Sequence, residues 1–223
     1  MLSLLQLEQR KLILFDLDGT LIDTASDMYH SMNLSLEQLG WAAVTEVQVR
    51  QWVGQGTGKL CDAVLQFLFG QIEPEKHQQL LKKYLEVYEQ ELCVYSRVFD
   101  GVQTFLDTCK NRHIEMACVT NKPEHLAKEL LQKLQIDHYF SLVVGGDSLA
   151  LRKPDPLPLL HSMQVFNTTQ PQTLMVGDSK NDIEAARRAG IDCIVVSYGY
   201  NHGENIYDSD PQQVVDRLDQ LLV

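Results

Sequence analysis

Five short apolar runs, each followed by a segment with helical spacing, limit what this chain can fold into. Residues 11–15, 114–120, 142–145, 174–177 and 193–196 are short and almost wholly apolar. Runs of this kind read as strands buried on both faces. Residues 102–112, 124–134, 155–165, 181–189 and 211–222 instead place apolar side chains three and four apart, as amphipathic helices do. The alternation predicts an α/β fold, a parallel sheet covered by helices on both sides. Right-handed crossovers then bring every strand's C-terminal end to one edge, where open sheets of this type bind ligands.

Residues 24–98 break the rhythm. Helical patterns cover 25–39, 45–53, 60–69 and 74–92, with few strand candidates between them. An insert of that size, leaving just after the first strand, would sit above the ligand edge of the sheet. The expected organisation is a catalytic core made of residues 1–23 and 99–223, with 24–98 forming an inserted α-helical cap domain.

Composition narrows the function classes. The 223 residues include 19 Lys and Arg against 30 Asp and Glu, a net charge of −11. No basic run is present, which argues against nucleic acid or an anionic membrane surface as partner. No apolar stretch reaches membrane-spanning length, and residues 1–10 lack the pattern of a signal peptide. The five cysteines are widely spaced, with no C-x-x-C pair, so they read as buried thiols in a reducing compartment. The expectation is a cytoplasmic protein, monomeric or homodimeric.

The chemistry-bearing residues follow the strands. Asp16-Leu17-Asp18-Gly19-Thr20 comes directly after the first run. Two carboxylates two positions apart at the exit of a buried strand raise each other's pKa unless a cation shares them. A hard divalent ion such as Mg²⁺ would serve. Thr120-Asn121-Lys122-Pro123 follows the second run, Lys153-Pro154 heads a helix after the third, and Gly177-Asp178-Ser179 with Asp182 follows the fourth. Each also has a plain structural reading. Asp16 and Asp18 could form an Asp/Gly turn, Thr120 or Asp178 could cap a helix, and Lys153 could be solvated. Four such accidents at one sheet edge are much less common than one site. The set meets the needs of phosphoryl transfer: a carboxylate nucleophile, a proton-transferring carboxylate, and cations and donors for the phosphoryl oxygens.

In order and spacing, these segments resemble the four motifs of the haloacid dehalogenase-like hydrolase superfamily. The resemblance covers residues 12 to about 196 and implies a Rossmann-like core hydrolysing phosphate esters with Mg²⁺. Carried over by position, it makes Asp16 the nucleophile and a metal ligand. Asp18 becomes the acid/base, lending its backbone carbonyl to the metal. Thr120 and Lys153 hold the phosphoryl group, Asp178 completes the metal shell and Asp182 supports it. Within the superfamily, the segments 120–123, 153–156, 198–201 and 53–56 resemble the phosphoglycolate phosphatases, which makes 2-phosphoglycolate the expected small phosphate-ester substrate. Sugar-phosphate phosphatases, pyrophosphatases and phosphomutases share parts of these signals. Asp18 argues against a dehalogenase, and the intact carboxylates argue against a catalytically silent binding protein.

Residues Gly54-Gln55-Gly56-Thr57-Gly58-Lys59 form the most distinctive stretch of the insert. Gly54 and Lys59 are candidate substrate contacts, with Lys59 meeting a substrate carboxylate or acting as an imine-forming lysine of a phosphonate-cleaving enzyme. A flexible turn is an equal alternative. Asn121 is a further substrate-binding candidate. Arg50 and the seven histidines read as surface or structural.

Overall fold

The computed structural model describes residues 7–222; the first six of the residues read for a signal peptide lie outside them. A six-stranded sheet forms the centre, with strands β1 (Leu12–Phe15), β4 (Glu115–Val119), β5 (Leu142–Val144), β6 (Thr173–Gly177), β7 (Asp192–Val196) and β8 (Gln213–Val215). Every pairing in it is parallel, and the order is β5-β4-β1-β6-β7-β8. The short β2 (Ile22–Asp23) and β3 (Arg97–Val98) pair antiparallel beside it.

The apolar runs are strands because both of their faces are buried. Along β1 the side chains alternate between two cores. Ile13 and Phe15 join Phe105 and Leu130 on one side, while Leu12 and Leu14 join Leu159 and Ala186 on the other. Helices α5 (Val102–Asn111) and α6 (Glu124–Lys133) supply the first cover, and α7 (Leu157–Val165) and α8 (Lys180–Ala189) the second. Phe15 meets Phe105 and Phe140 edge-on, each at 6.0 Å between ring centroids.

The expected helix over 211–222 is a correction. Gln213–Val215 is the edge strand β8 and Leu218–Leu222 a 3₁₀ turn. The backbone of β8 pairs with Ile194–Val196, and Ser197 N–H donates to Val215 O at 2.9 Å. A three-residue strand is too short to register as a period, so an available sheet edge decides its conformation.

Between β2 and β3 lie α1 (Ala25–Gln38), α2 (Glu46–Trp52), α3 (Thr57–Phe69) and α4 (Pro74–Gln90), close to the expected spans. The β2–β3 ribbon is the stem of this insert. Buried Asp27 of α1 accepts hydrogen bonds from Tyr95 N, Ser96 N and Ser96 Oγ in the turn just before β3. Tyr200 Oη accepts from Thr24 N and Ala25 N at 2.9 and 3.0 Å, satisfying N–H groups that the start of α1 leaves open. Among the described residues no helix is long and apolar enough to cross a membrane.

Candidate active site

Strand β1 is the switch point of the sheet. The chain runs from it to β4 and β5 on one side, then returns to β6, β7 and β8 on the other. Such a point opens a crevice at the strands' C-terminal ends. Asp16 stands there because its N–H donates to Val176 O at 2.9 Å, carrying the β1–β6 ladder one residue past the strand. Thr120 N–H likewise donates to Val144 O at 2.9 Å. Four strand exits thus converge on one place.

Lys153 organises the acidic group. Its ammonium is buried, 2.9 Å from Asp16 Oδ1 and 2.7 Å from Asp182 Oδ1. Burial alone would depress its pKa, but the two carboxylates outweigh that and keep the ammonium charged. Asp16 Oδ1 lies within ion-pair distance of Lys153 yet is buried without an aligned hydrogen bond. Burial, opposed by Lys153 and reinforced by Asp182 and Asp18, pushes the Asp16 carboxyl up to about 7.

Asp178 is not a helix cap. Its Oδ1 accepts from Thr20 Oγ1 at 3.3 Å and its Oδ2 from Tyr200 N at 2.7 Å. Burial first, then Asp16 and Asp182, holds its carboxyl well above the usual range. Two glycines make room for it. A Cβ on Gly19 (φ +86°) would come within 2.3 Å of Asp178 Oδ2, and one on Gly199 within 2.1 Å of Asp178 Cβ. Ser179 caps α8 instead, and Asp182 Oδ2 reaches back to accept from Ser179 N, Ser179 Oγ and Asp178 N. Both oxygens of Asp182 are therefore engaged. Asp16, Asp178 and Asp182 can still bring one oxygen each within 4.8 Å of one another. Three buried carboxylates around an orphaned oxygen form a hard, oxygen-only donor set that fits Mg²⁺.

The insert closes over this edge and leaves a cavity of about 40 Å³, room for a few water molecules. Asp16, Asp18, Thr120, Asn121 and Lys122 line it from below; Met28, Gly54, Leu60, Tyr84 and Tyr88 line it from above. Gly54 O accepts from Asn121 Nδ2 at 3.1 Å and Asn181 Nδ2 at 3.2 Å, so the glycine loop docks on the core through its backbone. Asn121 Nδ2 also donates to Lys153 O at 2.9 Å.

Lys59 is not brought to the cavity. It is exposed on α3 and pairs with Asp62 at 2.9 Å. One helical turn separates it from Gly54–Gly56, and helical geometry turns it outward. Arg50 pairs with Asp23 and Glu46 at 3.1 and 3.0 Å beside Tyr200. Sequence reasoning missed Lys122 and Tyr88, both of which line the cavity. Lys122 follows Thr120 by two residues, which is a local signal; Tyr88 carries none. His202 Nε2 meets Asn181 Nδ2 at 3.1 Å beside the glycine loop.

The raised Asp16 carboxyl makes a pH prediction for metal-free protein. Its ordinary value is 3.8 and its folded value about 7, so between these the folded state holds a proton that the unfolded chain has lost. Stability is then greatest below the ordinary value and falls as pH rises toward 7. In chelator, the melting temperature of the wild type should fall more steeply over this window than that of Asp16→Asn, and Mg²⁺ should flatten the wild-type curve. Parallel curves in chelator would contradict the raised carboxyl.

The fold and this strand-end cluster define a class. The family model described as haloacid dehalogenase-like hydrolase matches residues 13–196, and the chain belongs to that family. It is thus an enzyme, a hydrolase. It is 37% identical over 222 residues to a phosphoglycolate phosphatase of Colwellia psychrerythraea, covering 98% of each chain. It is 38% identical to one of Nitrosococcus oceani, covering 96% of each. A crystal structure described as a predicted phosphoglycolate phosphatase from Haemophilus somnus superimposes with a TM-score of 0.91 at 33% identity, covering 96% of this chain and 97% of that one.

Proposed function

We propose that this protein is a Mg²⁺-dependent phosphatase for small phosphate monoesters, with 2-phosphoglycolate as its substrate and Asp16 as the phosphorylated residue. The observation that carries the reading is the convergence of Asp16, Asp18, Thr120 and Lys153 on one buried crevice at the sheet's switch point. The names of the full-length relatives support the substrate.

Asp16 attacks phosphorus, and the bond from phosphorus to the ester oxygen breaks. Asp18 gives its proton to the departing oxygen, then takes one from the water that attacks the aspartyl phosphate. Thr120 and Lys153 donate to the phosphoryl oxygens. Asp16, Asp178 and the Asp18 carbonyl would hold Mg²⁺, with Asp182 supporting from behind because its oxygens are already engaged. Bound there, the ion supplies positive charge to the carboxylates and the phosphoryl group. The insert (24–98) acts as the cap that excludes water and selects the leaving group. The cavity is small and its roof largely apolar, which favours a compact ester over a phosphoprotein.

The test is phosphate release from 2-phosphoglycolate, a hexose phosphate, pyrophosphate and 4-nitrophenyl phosphate, ranked by kcat/KM. The expected result is a preference for 2-phosphoglycolate, loss of all activity in chelator, and recovery with Mg²⁺. A hexose phosphate or pyrophosphate at the top would reassign the substrate. Full turnover after thorough chelation would overturn the metal.

A further inference from the structure

One lysine to which the scheme above gives no role, Lys122, grips the carboxylate that handles the proton. Lys122 Nζ donates to Asp18 at 3.1 Å to Oδ1 and 3.4 Å to Oδ2, and to Tyr88 Oη at 2.6 Å. Its ammonium also sits 4.6 Å from the centre of the Tyr88 ring. Asp18 and Lys122 belong to the sheet edge, whereas Tyr88 lies on α4 of the insert. The Lys122 side chain is 2% exposed and that of Asp18 10%. Tyr88 is held in turn by Tyr84, stacked at 5.4 Å with 9° between the rings.

Among the described residues, Lys122 is the one side chain bonded to Asp18. A carboxylate two residues past the nucleophile, on a loop, has other orientations open to it, and proton transfer needs one of them. General acid catalysis requires the acid within about 3 Å of the leaving oxygen. A lysine is itself a poor clamp, since its four-carbon stem rotates freely. Here the phenol oxygen of Tyr88 fixes the ammonium, and it comes from the insert.

We propose that Lys122 is a positioning residue that aims Asp18 at the leaving oxygen, and that Tyr88 makes this aim depend on the insert being seated over the sheet edge. The inference rests on the reading of Asp18 as acid/base. It gives the insert a part in proton transfer besides selecting the substrate.

The test uses full-length wild type, Lys122→Met and Tyr88→Phe, with 2-phosphoglycolate, ethyl phosphate and 4-nitrophenyl phosphate. The quantity is kcat/KM, which reports formation of the aspartyl phosphate. The two alkyl esters have poor leaving groups and need the acid; the nitrophenyl ester needs little protonation. Lys122→Met should lower kcat/KM for both alkyl esters on the order of a hundredfold, as a misplaced catalytic group does, and leave the nitrophenyl ester nearly unchanged. Tyr88→Phe keeps the ring and should show the same pattern at smaller size. In an Asp18→Asn background, Lys122→Met should cost nothing further. Equal losses on all three esters would make Lys122 a structural residue and overturn the inference. A loss confined to 2-phosphoglycolate would make it a carboxylate receptor and overturn the inference as well. Wild-type protein that hydrolyses none of the esters would instead sink the phosphatase reading, before any variant is compared.

Discussion

Asp16→Asn is expected to abolish phosphate release while the fold survives. The carboxylate at this place is buried against Lys153 and crowded by Asp182 and Asp18. An amide has the same shape but cannot form the mixed anhydride with phosphate, and it binds a hard cation poorly. Turnover should fall at least about 10⁴-fold, the scale on which enzymes lose a nucleophile. Stability should move the other way. Replacing one member of an acidic cluster by a neutral group removes repulsion, so metal-free Asp16→Asn should melt no lower than the wild type near neutral pH. Single-turnover assays with wild-type-free protein and a thermal melt check both halves. Near-normal turnover would remove Asp16 from the role of nucleophile.

Lys153→Met should damage stability and activity together. Lys153 is 3% exposed, and its ammonium neutralises both Asp16 and Asp182. Taking away one partner of a buried ionic group strands the others, which typically costs about 3–5 kcal/mol. For a chain of this size that corresponds to a drop of roughly 6–20 °C in melting temperature. Mg²⁺ should recover part of it, because a cation bound to Asp16 and Asp178 replaces some of the missing charge. Activity should not follow, since the phosphoryl oxygens lose a charged donor worth on the order of 10²–10³ in kcat. A double-variant cycle with Asp16→Asn locates the effect: the stability loss should shrink once the Asp16 charge is gone. An unchanged melting curve would mean that the buried pair contributes nothing, and activity restored by Mg²⁺ alone would remove Lys153 from phosphoryl binding.

The parts of the molecule that sequence revealed share a physical basis. Strands such as Leu12–Phe15 are buried on both faces, so nearly every residue must be apolar, and the run stands out without any knowledge of its neighbours. The helices of the insert carry apolar residues at helical spacing because each buries one side. Asp16, Asp18, Thr120 and Asp178 stand at strand exits, and in a parallel sheet those exits share one edge. Position along the chain was therefore enough to gather them.

Lys59 and Lys122 mark where that logic stops. Both are lysines within or beside a distinctive loop, and by sequence either could face a ligand. Helix α3 carries Lys59 out to solvent and to Asp62, while the turn after β4 folds Lys122 inward against Asp18. Tyr88 reaches the same place from the last turn of a helix, 34 residues away in sequence from Lys122. Strand β8 exists only because β7 offers an open edge.

Sequence alone was enough for the five buried strands, the helices that cover them up to residue 189, the helices of the insert and the strand-end acidic group, because local periodicity and the one-edge rule for parallel strands need no three-dimensional input. The tertiary structure alone decided which lysine meets which carboxylate and what the insert places over the site. Those outcomes depend on the angle at which one packed element presents a side chain to another, and one-dimensional spacing does not encode that angle.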